Sequence, residues 1–108
     1  SSAGEKLVAI MSLQVLPCSI YLNWLYNCVV HERGFVQYNA LLALRSYIKS
    51  ITLTDDPAVD EIMKKIGAIS IAWEPCSDRQ KLYEELFKMH KEKLKTLKKI
   101  EAALHENL

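Results

Sequence analysis

The chain has 108 residues, of which 50% are hydrophobic and 25% are charged, as in an ordinary soluble globular domain. Its formal net charge is +1, which excludes an overall field that would draw the whole chain toward nucleic acid or an anionic membrane. Three cysteines cannot all pair within one chain, so we expect free thiols in a reducing compartment, either cytoplasmic or nuclear. Residues 1–4 are expected to be a cloning remnant or the edge of a larger protein.

Apolar periodicity and turn residues predict an all-α chain. Helices are predicted at about 5–16, 18–32, 35–51, 57–72 and 77–108. Pro17 separates the first two helices, and Gly34 is predicted to end the second as a C-terminal cap. The first helix is apolar nearly all round. The second has a narrow polar stripe, which predicts that neighbours cover it on most sides; the stripe consists of Ser19, Asn23 and Asn27.

The fourth helix has a start signal in residues 54–57. Thr54 offers a capping oxygen, Asp55 and Asp56 suit the positive end of a helix, and Pro57 suits the first turn. Residues 68–73 at its other end also fit a short strand. We favour helix there, because the sequence offers no second strand for pairing.

The fifth helix begins at a capping box, in which the Ser77 hydroxyl accepts from a free N–H and Gln80 reaches back. No Gly or Pro follows, so it is predicted to continue to the end of the chain. At about 1.5 Å per residue it would span roughly 48 Å, whereas a compact body of this size is about 35 Å across. We therefore expect the helix to extend beyond the body and to need a partner there.

The predicted fold is a single domain, with an apolar helical core at 5–73 and the long amphipathic helix at 77–108. Helix pairs 1/2 and 3/4 each occupy about 35–40 residues, which is the length of a HEAT or armadillo unit. The architecture is thus predicted to be either an irregular helical bundle or a solenoid-like, HEAT-like fragment of about five helices.

Residues 7–30 contain no charged side chain, a stretch long enough to cross a bilayer. Pro17, Gln14 and the amides of Asn23 and Asn27 oppose that interpretation, since polar groups are costly in hydrocarbon. The sequence favours two core helices joined at a proline and predicts no membrane span.

Metal and catalytic sites have weak support. Cys28 and His31 lie three apart on one helix, but a structural zinc site needs four ligands in paired spacings. No orienting group or oxyanion site accompanies this pair, and the glycines are too scattered for a phosphate loop. We predict a chain that is not an enzyme and that has no catalytic residue, metal ligand or cofactor.

The strongest functional pattern is an apolar seam along the last part of the fifth helix. Its residues recur three or four apart, as in a coiled coil. The predicted partner-binding residues are Leu94, Leu97, Ile100, Leu104 and Leu108. This pattern predicts a protein–protein interaction or scaffold module that packs against another helix, from itself or from a different protein. The competing interpretation is that the helix packs back along an elongated bundle.

The opposite side of the same helix is rich in lysine. The candidate phosphate-binding residues are Lys88, Lys91, Lys95, Lys98 and Lys99. Such a row can follow a phosphate backbone, so the alternative function is a nucleic-acid-associated helical module. The helix has no Arg after Arg79 and no interleaved aromatic residues, which disfavours base recognition.

Overall fold

A computed structural model describes residues 2–51 and 57–107 of the chain. Every regular element within these residues is a helix, which confirms the predicted all-α fold class. The helices are α1 (Ala3–Val15), α2 (Leu22–His31), α3 (Gly34–Ser50), α4 (Pro57–Ser70) and α5 (Asp78–Glu106), with a 3-10 turn at Ser19–Tyr21. Residues 71–73 form a turn rather than a strand. The capping residues predicted at 54–56 lie outside the described residues, whereas Pro57 begins α4 as predicted.

Helix α3 lies at the centre of the bundle. It packs against α1, α2 and α5, while α4 packs against α2 and α5. The residues of α3 that meet these neighbours are fully or almost fully buried, among them Leu41 and Leu44. Ala40 and Ala43 are also fully buried, and their small side chains let the neighbouring helices approach closely. The helical bundle is therefore present, and a solenoid-like stacking of helix pairs stays a prediction.

Gly34 and Gln80, both predicted at helix boundaries, have roles in the structure that differ from the predicted ones. Gly34 has a φ of 55°, a left-handed conformation that glycine adopts without strain, but it opens α3, because α2 already ends at His31. The Ser77 hydroxyl accepts from the Gln80 N–H at 3.4 Å, as the capping box requires. The Gln80 side chain, however, accepts from the N–H of Cys76 at 3.1 Å, one residue earlier than a standard capping box.

Within α2 only Asn23, Asn27 and His31 are exposed, so neighbours cover the helix on its other sides as predicted, whereas most residues of α1 are exposed. Asn23 and Asn27 face solvent, and α1 buries only Ile10 and Leu13. Helix α1 packs mainly on α3, and a helix with one main neighbour can bury only one face. The apolar residues on its other side are left exposed.

The molecule is elongated, as the length of its last helix predicted. Its principal extents are 54 × 30 × 18 Å, and its radius of gyration is 15.1 Å. A compact chain of this length would have a radius of gyration near 13 Å. None of the described helices is both long enough and apolar enough to cross a membrane.

Candidate interaction surface on α5

The first half of α5 is anchored in the body of the protein. Leu82 and Leu86 are buried against the core. The Tyr83 hydroxyl donates to the carbonyl of Met63 in α4 at 3.1 Å. Arg45 of α3 donates from Nη1 to both carboxylate oxygens of Glu85, at 3.0 and 3.2 Å. These contacts fix the direction in which α5 leaves the bundle.

His90 is the last buried residue of α5. Its Nε2 lies 2.5 Å from Oδ1 of Asp60 in the first turn of α4. In the sequence, His90 interrupts the apolar spacing of α5, and Asp60 lies in the first turn of α4, where the helix dipole alone accounts for a carboxylate. Proximity between residues thirty positions apart is a tertiary property, so the spacing of each helix alone could not reveal this pair.

Among the described residues, Lys93 makes the last hydrogen-bonded contact between α5 and the body. Its ammonium group donates to three carbonyls around the C-terminal end of α3, those of Ile48, Lys49 at 3.2 Å and Ile51 at 3.1 Å. These carbonyls have no partner within the helix, and a cation is favourable at this negative end. Lys93 is therefore set apart from the other lysines of α5, because it points toward the bundle.

Beyond Lys93 the predicted seam emerges gradually from the body. Leu94 and Leu97 are half-buried, Ile100 is 40% exposed and Leu104 is 62% exposed. Leu108 lies outside the described residues. All residues from 98 to 106 are exposed, so this last part of α5 projects as roughly 14 Å of helix at 1.5 Å per residue. The seam continues the stripe that buries Leu82 and Leu86 farther back.

The lysine face also lies where the sequence placed it. The five predicted residues are all exposed: Lys88, Lys91, Lys95, Lys98 and Lys99. Among the residues that the structure describes, none of the five forms an ion pair. The ammonium group of Lys91 lies 4.8 Å from the centre of the Phe87 ring, a cation–π contact on the same helix.

All three cysteines are free thiols, and Cys18 and Cys76 are exposed. Cys28 is buried, and burial raises the pKa of its thiol above the ordinary value, so the protonated form prevails at neutral pH. His31 is exposed and does not share this buried position. Across residues 2–51 and 57–107, no three His, Cys, Asp or Glu side chains are grouped so that they could hold a metal ion.

No family model matches the chain, and comparison with curated proteins and with solved structures also finds no match.

Sequence reasoning missed a second apolar surface, on α1 and the 3-10 turn. Val15 is 78% exposed there and Ile20 is 77% exposed. The available signal was the apolar character of the first helix on nearly all sides. That pattern does not predict which side of the helix is exposed, because the sequence does not show how many neighbours a helix has.

Proposed function

We propose that the protein is an interaction or scaffold module that binds another protein by packing a partner helix along the projecting end of α5. One observation carries this proposal: Ile100 and Leu104 remain exposed on the same stripe that forms the core contact earlier in the helix. A charged, solvated helix end would not need apolar residues at these positions.

The shape of the stripe favours a helix as the binding element of the partner. Leu97, Ile100 and Leu104 are separated by three and four residues, which presents a seam one helix wide. Apolar surface covered at this seam would stabilise the complex by about 25 cal/mol per Å² before the costs of association. The exposed Lys and Glu residues on either side would then favour one register and one partner over others.

The stability expected of the end of α5 also supports docking of a partner helix. Short helices without tertiary contacts are marginal in water, because few residues share the cost of nucleation. Residues 91–106 extend from an anchored helix but bury no described side chain. Packing on a partner helix would supply burial that the described residues of the chain do not give this end.

A second candidate function is binding to a nucleic-acid backbone through the lysine face. The observation that favours it is the exposure of all five lysines without an ion pair to any described residue. Phosphate binding by such a row is strongly salt-dependent, whereas docking at an apolar seam responds weakly to salt. Duplex or single-stranded probes titrated at two salt concentrations separate the two functions.

Site-specific photo-crosslinking tests the proposal. A photo-crosslinking amino acid at position 104 places the probe on the seam, and the same amino acid at position 95 places it on the opposite, lysine face. A protein captured from position 104 but not from position 95 is then purified and titrated against the wild-type chain. We expect stoichiometric binding that the double variant Ile100→Asp, Leu104→Asp weakens by at least about 100-fold, since both charges would be buried.

The matched control is Lys95→Asp with Lys99→Asp, which places two aspartates on the same turns of α5 but away from the seam. This control should retain binding, with altered salt dependence at most. Binding that survives the seam variant and is lost in the control would refute docking at the seam. Thermal unfolding of both variants should match that of wild type, because the substituted positions are exposed.

A further inference from the structure

An apolar face distinct from the end of α5 lies on α1 and on the 3-10 turn that follows it. Its exposed side chains, which we call the α1 face, are Val8, Met11, Val15, Leu16, Ile20 and Tyr21. Three of them recur three and four residues apart along α1, on the side opposite buried Ile10 and Leu13. They form a ridge with no cover from any described residue.

A cavity of about 380 Å³ borders this ridge. Ala9, Ser12 and Leu13 of α1 form one wall, and Tyr21 and Trp24 form the other. Tyr21 thereby connects the exposed part of α1 to the 3-10 turn in one continuous surface. A cavity near 150 Å³ already accepts a benzene ring, so this one has room for a large apolar side chain.

The area of the α1 face is close to what a stable dimer requires. Six large side chains that are each half to four-fifths exposed together leave roughly 700 Å² of accessible surface along α1 and the 3-10 turn. A standard interface takes about 800 Å² from each partner. Two such faces would together bury roughly 1,400 Å², within the usual range for a specific interface.

The charge pattern makes the face compatible with a copy of itself. Residues 7–30 contain no charged side chain, so two copies can meet there without like charges approaching. Lys6, next to the ridge, is paired with Glu32 at 2.5 Å and does not present a free charge toward it. The hydrogen bond from Lys6 to Glu32 and the negative charge of Glu32 raise the pKa of Lys6, which favours its protonated form.

From this geometry we infer that the α1 face is a homodimer interface, whose occupant is the α1 face of a second copy. A two-fold axis places the ridge of each copy against the cavity of the other, so one contact is made twice. The dimer would carry two α5 ends, one from each copy. This inference does not rest on the function proposed for α5.

Analytical ultracentrifugation of the full chain over a range of concentrations tests the inference. We expect a reversible monomer–dimer equilibrium for wild type. Val8→Glu with Val15→Glu should weaken dimerisation by at least about 100-fold, since each substitution would bury an uncompensated charge. The matched control is Phe35→Glu with Ile71→Glu, because these residues are similarly exposed, at 67% and 84%, but lie off the face. That control should dimerise as wild type does.

Tryptophan fluorescence provides a readout that needs no variant on the face. Trp24 lines the cavity, whereas Trp73 is already buried. Dilution of the wild-type chain should red-shift the Trp24 emission and increase its quenching by acrylamide as the dimer dissociates. Emission that stays constant while the mass halves would place the interface elsewhere and overturn the inference.

Two other outcomes would also refute a dimer formed through the α1 face. A wild-type chain that remains monomeric at all concentrations refutes the dimer, and binding of that monomer to neutral phosphatidylcholine vesicles would identify the face as a lipid contact instead. Loss of the dimer in Ile100→Asp, Leu104→Asp, with retention in the α1 variant, would move self-association to α5. That result would refute the α1 interface without refuting the function proposed for α5.

Discussion

The hydroxyl of Tyr83 lies directly over Gly67, in the last turn of α4. A Cβ added to Gly67 would stand 2.6 Å from that hydroxyl oxygen, closer than real Cβ contacts allow. The hydroxyl is held in place because it donates to the Met63 carbonyl one turn earlier in α4. Burial also raises the pKa of Tyr83, so the hydroxyl remains a donor at neutral pH. The close approach of Tyr83 from α5 thus explains why a glycine, rather than a residue with a Cβ, occupies position 67 inside a helix.

This contact predicts an unusual response to Gly67→Ala. Alanine is favoured over glycine in helix interiors by about 1 kcal/mol, but here the clash should dominate and lower the free energy of unfolding by about 1–3 kcal/mol. In a Tyr83→Phe background the clash is removed, and the same substitution should become neutral or stabilising. Urea denaturation of the four proteins in this cycle measures the change of sign. Equal effects in both backgrounds would exclude the contact as the cause.

The sequence predicted those features of the fold that depend on residues close together in the chain. Pro57 begins α4 and Ser77 caps α5, because capping and proline geometry act within one turn. The length of α5 and its exposed seam followed from periodicity alone. The burial of Gln37 and the pairing of His90 with Asp60 did not, because each depends on which helices become neighbours. The exposed side of α1 escaped prediction for the same reason.

Gln37 has a structural role that can be measured. This buried side chain donates from Nε2 to the carbonyl of Val29 at 2.6 Å, near the end of α2 where carbonyls lack helical partners. It also accepts from Arg79 Nη1 at 2.7 Å, and the Arg79 guanidinium lies 5.3 Å from the centre of the Trp73 ring. One amide therefore connects α2, α3 and the start of α5.

We expect Gln37→Met to lower the free energy of unfolding by about 2–3 kcal/mol, because it keeps the length of the side chain but leaves a buried carbonyl unsatisfied. Arg79→Met removes the other partner of the amide. Together the two substitutions should cost less than the sum of their separate effects, with a coupling of about 1 kcal/mol. Strictly additive effects in denaturant unfolding would show that the network is not coupled.

Cys76 is a residue whose replacement should stabilise the protein. Its φ of 63° is left-handed, which costs a residue with a Cβ about 1–2 kcal/mol. Cys76→Gly should relieve this cost and raise the free energy of unfolding by about 1 kcal/mol, after allowance for the greater freedom of glycine in the unfolded chain. Cys76→Ala is the matched control, since it removes the thiol but retains the Cβ. Equal stability of the two variants would argue against backbone strain.

We propose that α5 serves as a docking surface from Ile100 onward, where the described residues of the chain leave its apolar stripe exposed. Amide hydrogen exchange along α5, measured on the isolated protein, tests it most directly. We expect protection close to that of global unfolding around Leu82 and Leu86, a steep fall after Lys93, and little protection around Leu104. Adding a partner captured at position 104 should restore protection there. Uniformly high protection from Leu82 to Leu104 in the isolated chain would contradict the claim, because the seam would then already be covered.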